Sequence, residues 1–144
     1  MLDNAIELYL KQVVAVCPEI KAIWLFGSRA NGTATSSSDW DFLAFGDDAT
    51  YERLHLATEL HRENVDFMVM TNEDDFQNVW GSLEKIGSLT VWEWSKTSDL
   101  SGQYMQTKKK PGSDFDSICT IKKAIRVWPP AIFGSNLNDS YWAP

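Results

Sequence analysis

Residues 23–44 read Ile23-Trp-Leu-Phe-Gly27-Ser28-Arg29-Ala-Asn-Gly-Thr-Ala-Thr-Ser-Ser-Ser38-Asp39-Trp-Asp41-Phe-Leu-Ala44. An apolar run, Ala22 to Phe26, stops at a Gly-Ser pair. Such a run is what a strand buried on both faces requires. Gly27 has no Cβ, so the backbone can turn sharply there and a ligand can come close. Ser28 has the chemistry of an N-cap for a short helix through Arg29 and Ala30, and N–H groups exposed at a helix start attract anions. After a small polar segment, Asp39 and Asp41 flank Trp40 at the head of a second apolar run. Alternate side chains of a strand share a face, so these two carboxylates point the same way. They repel each other unless a cation sits between them. Mg²⁺ is a hard ion that takes oxygen ligands, commonly one or two carboxylates together with substrate phosphates.

A third carboxylate stands in a further strand-like run, Asn64-Val-Asp66-Phe-Met-Val-Met70. Buried and unpaired, Asp66 would be costly, and a metal shared with Asp39 and Asp41 would remove that cost. Three carboxylates can support two metals, the arrangement used for in-line phosphoryl or nucleotidyl displacement. Each motif alone has a plainer reading, as a strand-to-helix turn, a solvated strand edge or an exposed aspartate. Their order and spacing together favour nucleotide chemistry.

The run from Gly27-Ser28-Arg29, through Ser38-Asp39-Trp-Asp41, to Val65-Asp66-Phe-Met resembles the signature of the DNA polymerase β-like nucleotidyltransferase superfamily. It is most similar to the minimal nucleotidyltransferase branch, small prokaryotic proteins of which some serve as antitoxins. The resemblance covers about residues 1–95. It implies that Asp39, Asp41 and Asp66 are catalytic and bind Mg²⁺ or Mn²⁺, with Asp66 also helping to deprotonate the acceptor hydroxyl. It implies nucleotide binding by Gly27, Ser28, Arg29 and Ser38. ATP is the donor it favours over other NTPs. The acceptor it implies is a hydroxyl on a partner protein, as in toxin–antitoxin pairs, or on a small aminated sugar. Two positions depart from the pattern: Asn31 stands where a basic residue is common, and Trp40 where an aliphatic one is.

The chain of 144 residues is long enough for a domain with a real core. Its net charge of −7 is unevenly spread: residues 1–95 hold 6 basic and 16 acidic groups, residues 96–144 hold 7 and 4. An acidic catalytic half argues against a protein that grips long nucleic acid, whose affinity comes largely from Lys and Arg on phosphates. No apolar run approaches the ~20 residues that span a bilayer. The N-terminus has no basic region of the signal-peptide kind, so the expected location is cytoplasmic, away from membranes. Cys17 and Cys119 are far apart and read as reduced thiols, and His55 and His61 as surface or half-buried residues.

Along the chain, Leu2, Ile6, Leu10, Val13 and Val14 predict a helix from Asp3, its N-cap, to about Val16, closed by Pro18. Strands are expected at 21–26, 39–45 and 64–70, with a helix over Thr50–Leu60 between the last two. A second helix is expected from Asn72 or Glu73 to about Ile86, with Gly87 as its stop, then a fourth strand over Leu89–Trp94. The expected fold is α/β (α+β), a small mixed sheet flanked by helices, with residues 1–95 as a minimal nucleotidyltransferase domain. Residues 96–144 read as a C-terminal extension: a polar linker over Ser95–Gly112, then an amphipathic helix. Ile118, Ile121, Ile125 and Trp128 recur at helical spacing before Pro129-Pro130. Ser113 or Asp114 would cap that helix. Its apolar stripe must dock, on the sheet's open face, on a different partner or, as favoured here, across a homodimer. Asp114-Phe-Asp116 is a second Asp-x-Asp without a Gly-Ser turn ahead of it, and is read as a decoy. Ala131-Ile-Phe-Gly134-Ser135 echoes the first motif without its aspartates, by chance.

Two functions from different classes follow. The first is a metal-dependent nucleotidyltransferase. The second is a non-catalytic, antitoxin-like or regulatory module of the same fold that sequesters a partner.

Overall fold

The computed structural model describes residues 2–81 and 86–131. Twelve elements follow in order: α1 (Asn4–Val16), β1 (Ala22–Phe26), α2 (Gly27–Asn31), β2 (Trp40–Phe45), α3 (Thr50–Leu56), a 3-10 turn (Thr58–Leu60), β3 (Val65–Met70), β4 (Asp75–Asn78), β5 (Ile86–Ser88), β6 (Ser95–Lys96), β7 (Ser101–Lys109) and β8 (Ser117–Trp128). The strands form one sheet in the order β5-β4-β3-β2-β1-β8-β7-β6. It is mixed, as expected: β2 and β3 run parallel, and the other neighbours are antiparallel.

The first half forms as its side chains dictate. Asp3 caps α1, its Oδ1 accepting from the Ile6 N–H at 2.8 Å. Ile6, Tyr9, Leu10 and Val13 bury the inner face of that helix. They meet Ile23, Leu25, Phe42, Ala44, Phe67 and Val69 from alternate positions of β1, β2 and β3. The intervening positions, Ala22, Trp24, Phe26, Leu43 and Met68, face the opposite side and pack with Phe76 and Tyr104 into a second core that contains no helix residue. Burying side chains of this size is worth roughly 1.5–3 kcal/mol each. The helices thus cover one face of the sheet and leave the other to strands and turns.

Three expected elements are corrected. The helix from 72 to 86 is absent over its described part. Asn72 Oδ1 accepts from the N–H groups of both Asp74 and Asp75, which makes a turn. β4 then pairs with β3, Met70 opposite Phe76. Phe76, Val79 and Trp80 mimic helical spacing, but Phe76 enters the second core and the other two the first. Gly87 is a strand residue rather than a helix stop, and a Cβ there would meet the Phe76 ring at 2.6 Å. The strand expected over 89–94 is a compact turn, with Trp92 N–H bonded to Ser88 O and Trp94 N–H to Leu89 O. It lays Trp92 and Trp94 on the second core.

The third correction is the largest. The C-terminal segment, read as linker plus helix, is a long hairpin: Ser101–Lys109 pairs along its length with Ser117–Ile125. β8 then adds to β1, with Trp24 opposite Arg126 and Leu25 opposite Ile125. The apolar stripe is divided. Ile125 and Trp128 pack on the first core, while Ile118 and Ile121 remain exposed towards the hairpin tip. Residues rich in β-branching fit a pleated surface, and an open β1 edge offers a ladder that an isolated helix would not have. Docking is therefore achieved within the chain. Ser113 Oγ accepts from Phe115 and Asp116 N–H groups, so it closes the hairpin loop and caps no helix. Of the echo at 131–135, only Ala131 lies within the described residues.

The two cysteines differ in kind. Cys17 is fully buried, and its thiol donates to Glu19 Oε2 at 2.8 Å. Burial first, and then the Glu19 carboxylate, push its pKa up to about 12. Cys119 is exposed on β8. Only a thiolate reacts readily. A disulfide-exchange reagent at pH 8 is therefore expected to titrate one thiol in native protein and two in denaturant. Two fast-reacting native thiols would show that Cys17 is less enclosed than described.

Candidate functional site

The carboxylates are positioned by the register of the sheet. Phe26, the last residue of β1, stands opposite Asp41, and Asp41 stands beside Asp66 across the parallel β2–β3 pair. Alternation puts both carboxylates on the face of Leu43 and Met68, the face without helices. Both are partly exposed. Asp39 shares their parity but lies just before β2 and is exposed. Among the described residues, no group of three or more His, Cys, Asp or Glu side chains is placed to hold one metal ion. Asp41 and Asp66 are thus register neighbours on one face, and Asp39 precedes them on the chain that enters β2.

Gly27 is fitted against that pair. Its φ is +66°, in the left-handed region. A Cβ built on it would overlap Oδ2 of Asp41 and stand 3.2 Å from its Cγ. Only glycine allows both the conformation and the approach. α2 opens at Gly27 itself, with Phe26 in the cap position and no side-chain cap bond, so Ser28 lies inside the first turn rather than at the cap.

Arg29 and Ser38 order the loop between α2 and β2. Arg29 Nη2 donates to Ser38 O at 2.8 Å, and its guanidinium lies 4.3 Å from the centre of the Trp40 ring. Ser38 Oγ accepts from the Thr35 N–H at 2.9 Å. These contacts hold the chain that enters β2 at Asp39. Trp40, at a position where an aliphatic residue is common, thereby acquires a partner for Arg29. Asn31 has a comparable use. Its Nδ2 donates to Gly27 O and Lys123 O, and its Oδ1 accepts from Lys123 N–H at 2.8 Å. The C-terminal hairpin is thus tied to the turn beside the carboxylates.

Sequence reasoning did not single out one residue that lies against the Gly-Ser turn. Tyr104, on β7, is buried, and its Oη accepts from the Gly27 N–H at 3.1 Å. A cavity of about 270 Å³ lies there, lined among others by Gly27, Asp41, Phe76, Trp92 and Tyr104. Trp92 is stacked on Tyr104 at 4.9 Å and edge-on to Phe76 at 4.7 Å. A larger cavity, about 320 Å³, lies by His55 and His61 and has no carboxylate in its wall. The decoy pair Asp114 and Asp116 is in the hairpin loop, outside the cavity at Asp41. The one signal for Tyr104 in the sequence is a lone aromatic two residues after Gly102 in an otherwise polar stretch.

No helix among the described residues is long and apolar enough to cross a membrane. Searches among curated proteins and among solved structures each return no match. Residues 9–86, more than half of the chain, match the family described as "Polymerase beta, Nucleotidyltransferase", a span that contains the Gly-Ser turn and all three aspartates. This chain belongs to the polymerase β nucleotidyltransferase family.

Proposed function

We propose that the protein is a metal-dependent nucleotidyltransferase that moves a nucleoside monophosphate, AMP from ATP by family resemblance, to a hydroxyl on a protein or a small molecule. The observation that carries this reading is the Asp41–Asp66 register pair beside Gly27, in a chain of this family. Two partly exposed carboxylates on one face are a hard-oxygen donor set that fits Mg²⁺ or Mn²⁺. Asp41 and Asp66 would hold the ion, with Asp39 joining from the entry of β2. A bound ion supplies positive charge for the triphosphate and a lowered pKa for the attacking hydroxyl. In the transfer, the acceptor oxygen forms a bond to the α-phosphorus. The bond from that phosphorus to its bridging oxygen breaks, and pyrophosphate leaves. Asp66 takes the acceptor's proton. Gly27 and Ser28 would contact the phosphates, and Gly27, having no Cβ, lets the Asp41 carboxylate lie against the turn.

One observation favours the non-catalytic module instead: among the described residues, no three carboxylates are grouped to hold one metal ion. The same experiment decides between them. The protein, co-purified with its natural partner, is incubated with Mg²⁺ and α-labelled ATP. Label on a protein or small-molecule acceptor, lost in EDTA, is the expected result. A stable complex without label would replace transfer with sequestration. Binding of ATP that is equal with and without metal would remove the site itself.

A further inference from the structure

Resting on the nucleotidyltransferase reading, we propose that Tyr104 is a nucleotide-binding residue of this protein: its hydroxyl takes up the Gly27 N–H and offers its own O–H to the phosphate chain in its place. The residue lies on β7, outside the span that matches the family.

The argument starts from donors and acceptors. A tyrosine hydroxyl is both, one O–H to give and lone pairs to receive. Gly27 N–H already fills the receiving role at 3.1 Å. In the folded chain that N–H is thus directed at Tyr104, while the hydroxyl keeps a proton to donate. Tyr104 lines the 270 Å³ cavity that Asp41 and Gly27 also line, and in the nucleotidyltransferase reading that cavity takes the phosphates.

Its position is built rather than incidental. Tyr104 is opposite Lys122 in the β7–β8 ladder, and the next residue of β8, Lys123, is held by the Asn31 side chain through two hydrogen bonds. The ring is fixed by Trp92, stacked at 4.9 Å, and by Phe26, edge-on at 5.3 Å. The Trp92 carbonyl in turn accepts from Met105 N–H at 2.6 Å. A rigid phenol on the wall of a cavity that Asp41 also lines has the chemistry of a phosphate donor.

The test is Tyr104→Phe, which keeps the ring and its stacking and deletes one oxygen. Affinities for Mg²⁺-ATP and Mg²⁺-tripolyphosphate are measured by calorimetry, Mn²⁺ alone by electron paramagnetic resonance, and folding by a thermal melt. A hydrogen bond to a charged group sets the expected loss at about ten-fold or more, equal for ATP and tripolyphosphate. Mn²⁺ affinity should be unchanged, and the melting midpoint within about 5 °C of wild type. Unchanged or tighter ATP binding by Tyr104→Phe would overturn the proposal, the second because the hydroxyl would then be an obstacle. An equal fall in Mn²⁺ affinity would also overturn it, since Tyr104 would be acting through the carboxylates. A fall in ATP affinity not matched by tripolyphosphate would overturn it as well. Wild type that binds neither phosphate ligand would instead overturn the nucleotidyltransferase reading, and this proposal with it. Should the phenylalanine variant not fold, Tyr104→3-fluorotyrosine decides. A more acidic phenol donates more strongly, so ATP should then bind more tightly at pH 6.5, and weaker or equal binding would overturn the assignment.

Discussion

Asp41→Asn is expected to lower nucleotidyl transfer at least about a thousand-fold without lowering the melting midpoint. Charge stabilisation by a metal is worth several kcal/mol in the transition state, and each 1.36 kcal/mol is a factor of about ten. Asparagine keeps the shape against Gly27 but removes the charge that, with Asp66, makes the hard-oxygen pair. Stability should hold, because asparagine has the shape of aspartate and the position is partly exposed. The effect should divide by position. Asp66→Asn should match Asp41→Asn, and Asp39→Asn, at the exposed entry of β2, should cost less. Asp116→Asn, in the hairpin loop, should be silent. Transfer by Asp41→Asn at near the wild-type rate would show that the reaction, if present, happens elsewhere.

What made these aspartates legible is that short, fully buried strands write themselves plainly. Ala22–Phe26 is buried at every position, and its apolar run begins and ends with the strand. In β2 and β3 the burial pattern is the same, with one partly exposed aspartate at the second position of each. Alternation then places Asp41 and Asp66 on one face before any coordinates are known. The place of Asp39 could not be read as finely, because it lies just before β2, where strand alternation no longer fixes the side chain.

The other half was misread for a physical reason. Ile118, Ile121, Ile125 and Trp128 keep helical spacing, but β8 carries a register irregularity opposite Ile23 and Trp24. Such a bulge changes which residues face inwards and hides the period of two. An edge of β1 left open by the first half was the missing constraint, and only tertiary structure supplies it. Tyr104 was invisible for the same reason: its importance comes from a hydrogen bond to Gly27, 77 residues away in sequence. Asn31, an apparent departure from a basic residue, makes sense only once Lys123 is beside it.

Gly27→Ala tests the same geometry from the other side, and its effect should be as large as that of removing a carboxylate. Two costs are combined in it. The left-handed conformation at φ +66° is unfavourable for alanine by about 1–2 kcal/mol. The added Cβ also overlaps Oδ2 of Asp41 and stands 3.2 Å from Cγ, so it meets the carboxylate proposed to hold the metal. Relief requires either Asp41 to swing away from Asp66 or the Gly27 peptide to shift. The first breaks the donor pair. The second breaks the 3.1 Å bond from Gly27 N–H to Tyr104. Gly32→Ala separates the two costs, because Gly32 has φ +73° and nothing within 4 Å of an added Cβ. Both variants should lose a few degrees of melting midpoint from backbone strain, roughly 4–8 °C per kcal/mol for a small domain. Only Gly27→Ala should also lose transfer, by about a hundred-fold or more, together with Mn²⁺ affinity, since moving Asp41 disturbs the proposed metal site. If Gly27→Ala and Gly32→Ala behave alike in metal and nucleotide binding, the closeness of Gly27 to Asp41 has no part in the chemistry. The glycine would then serve only the turn into α2.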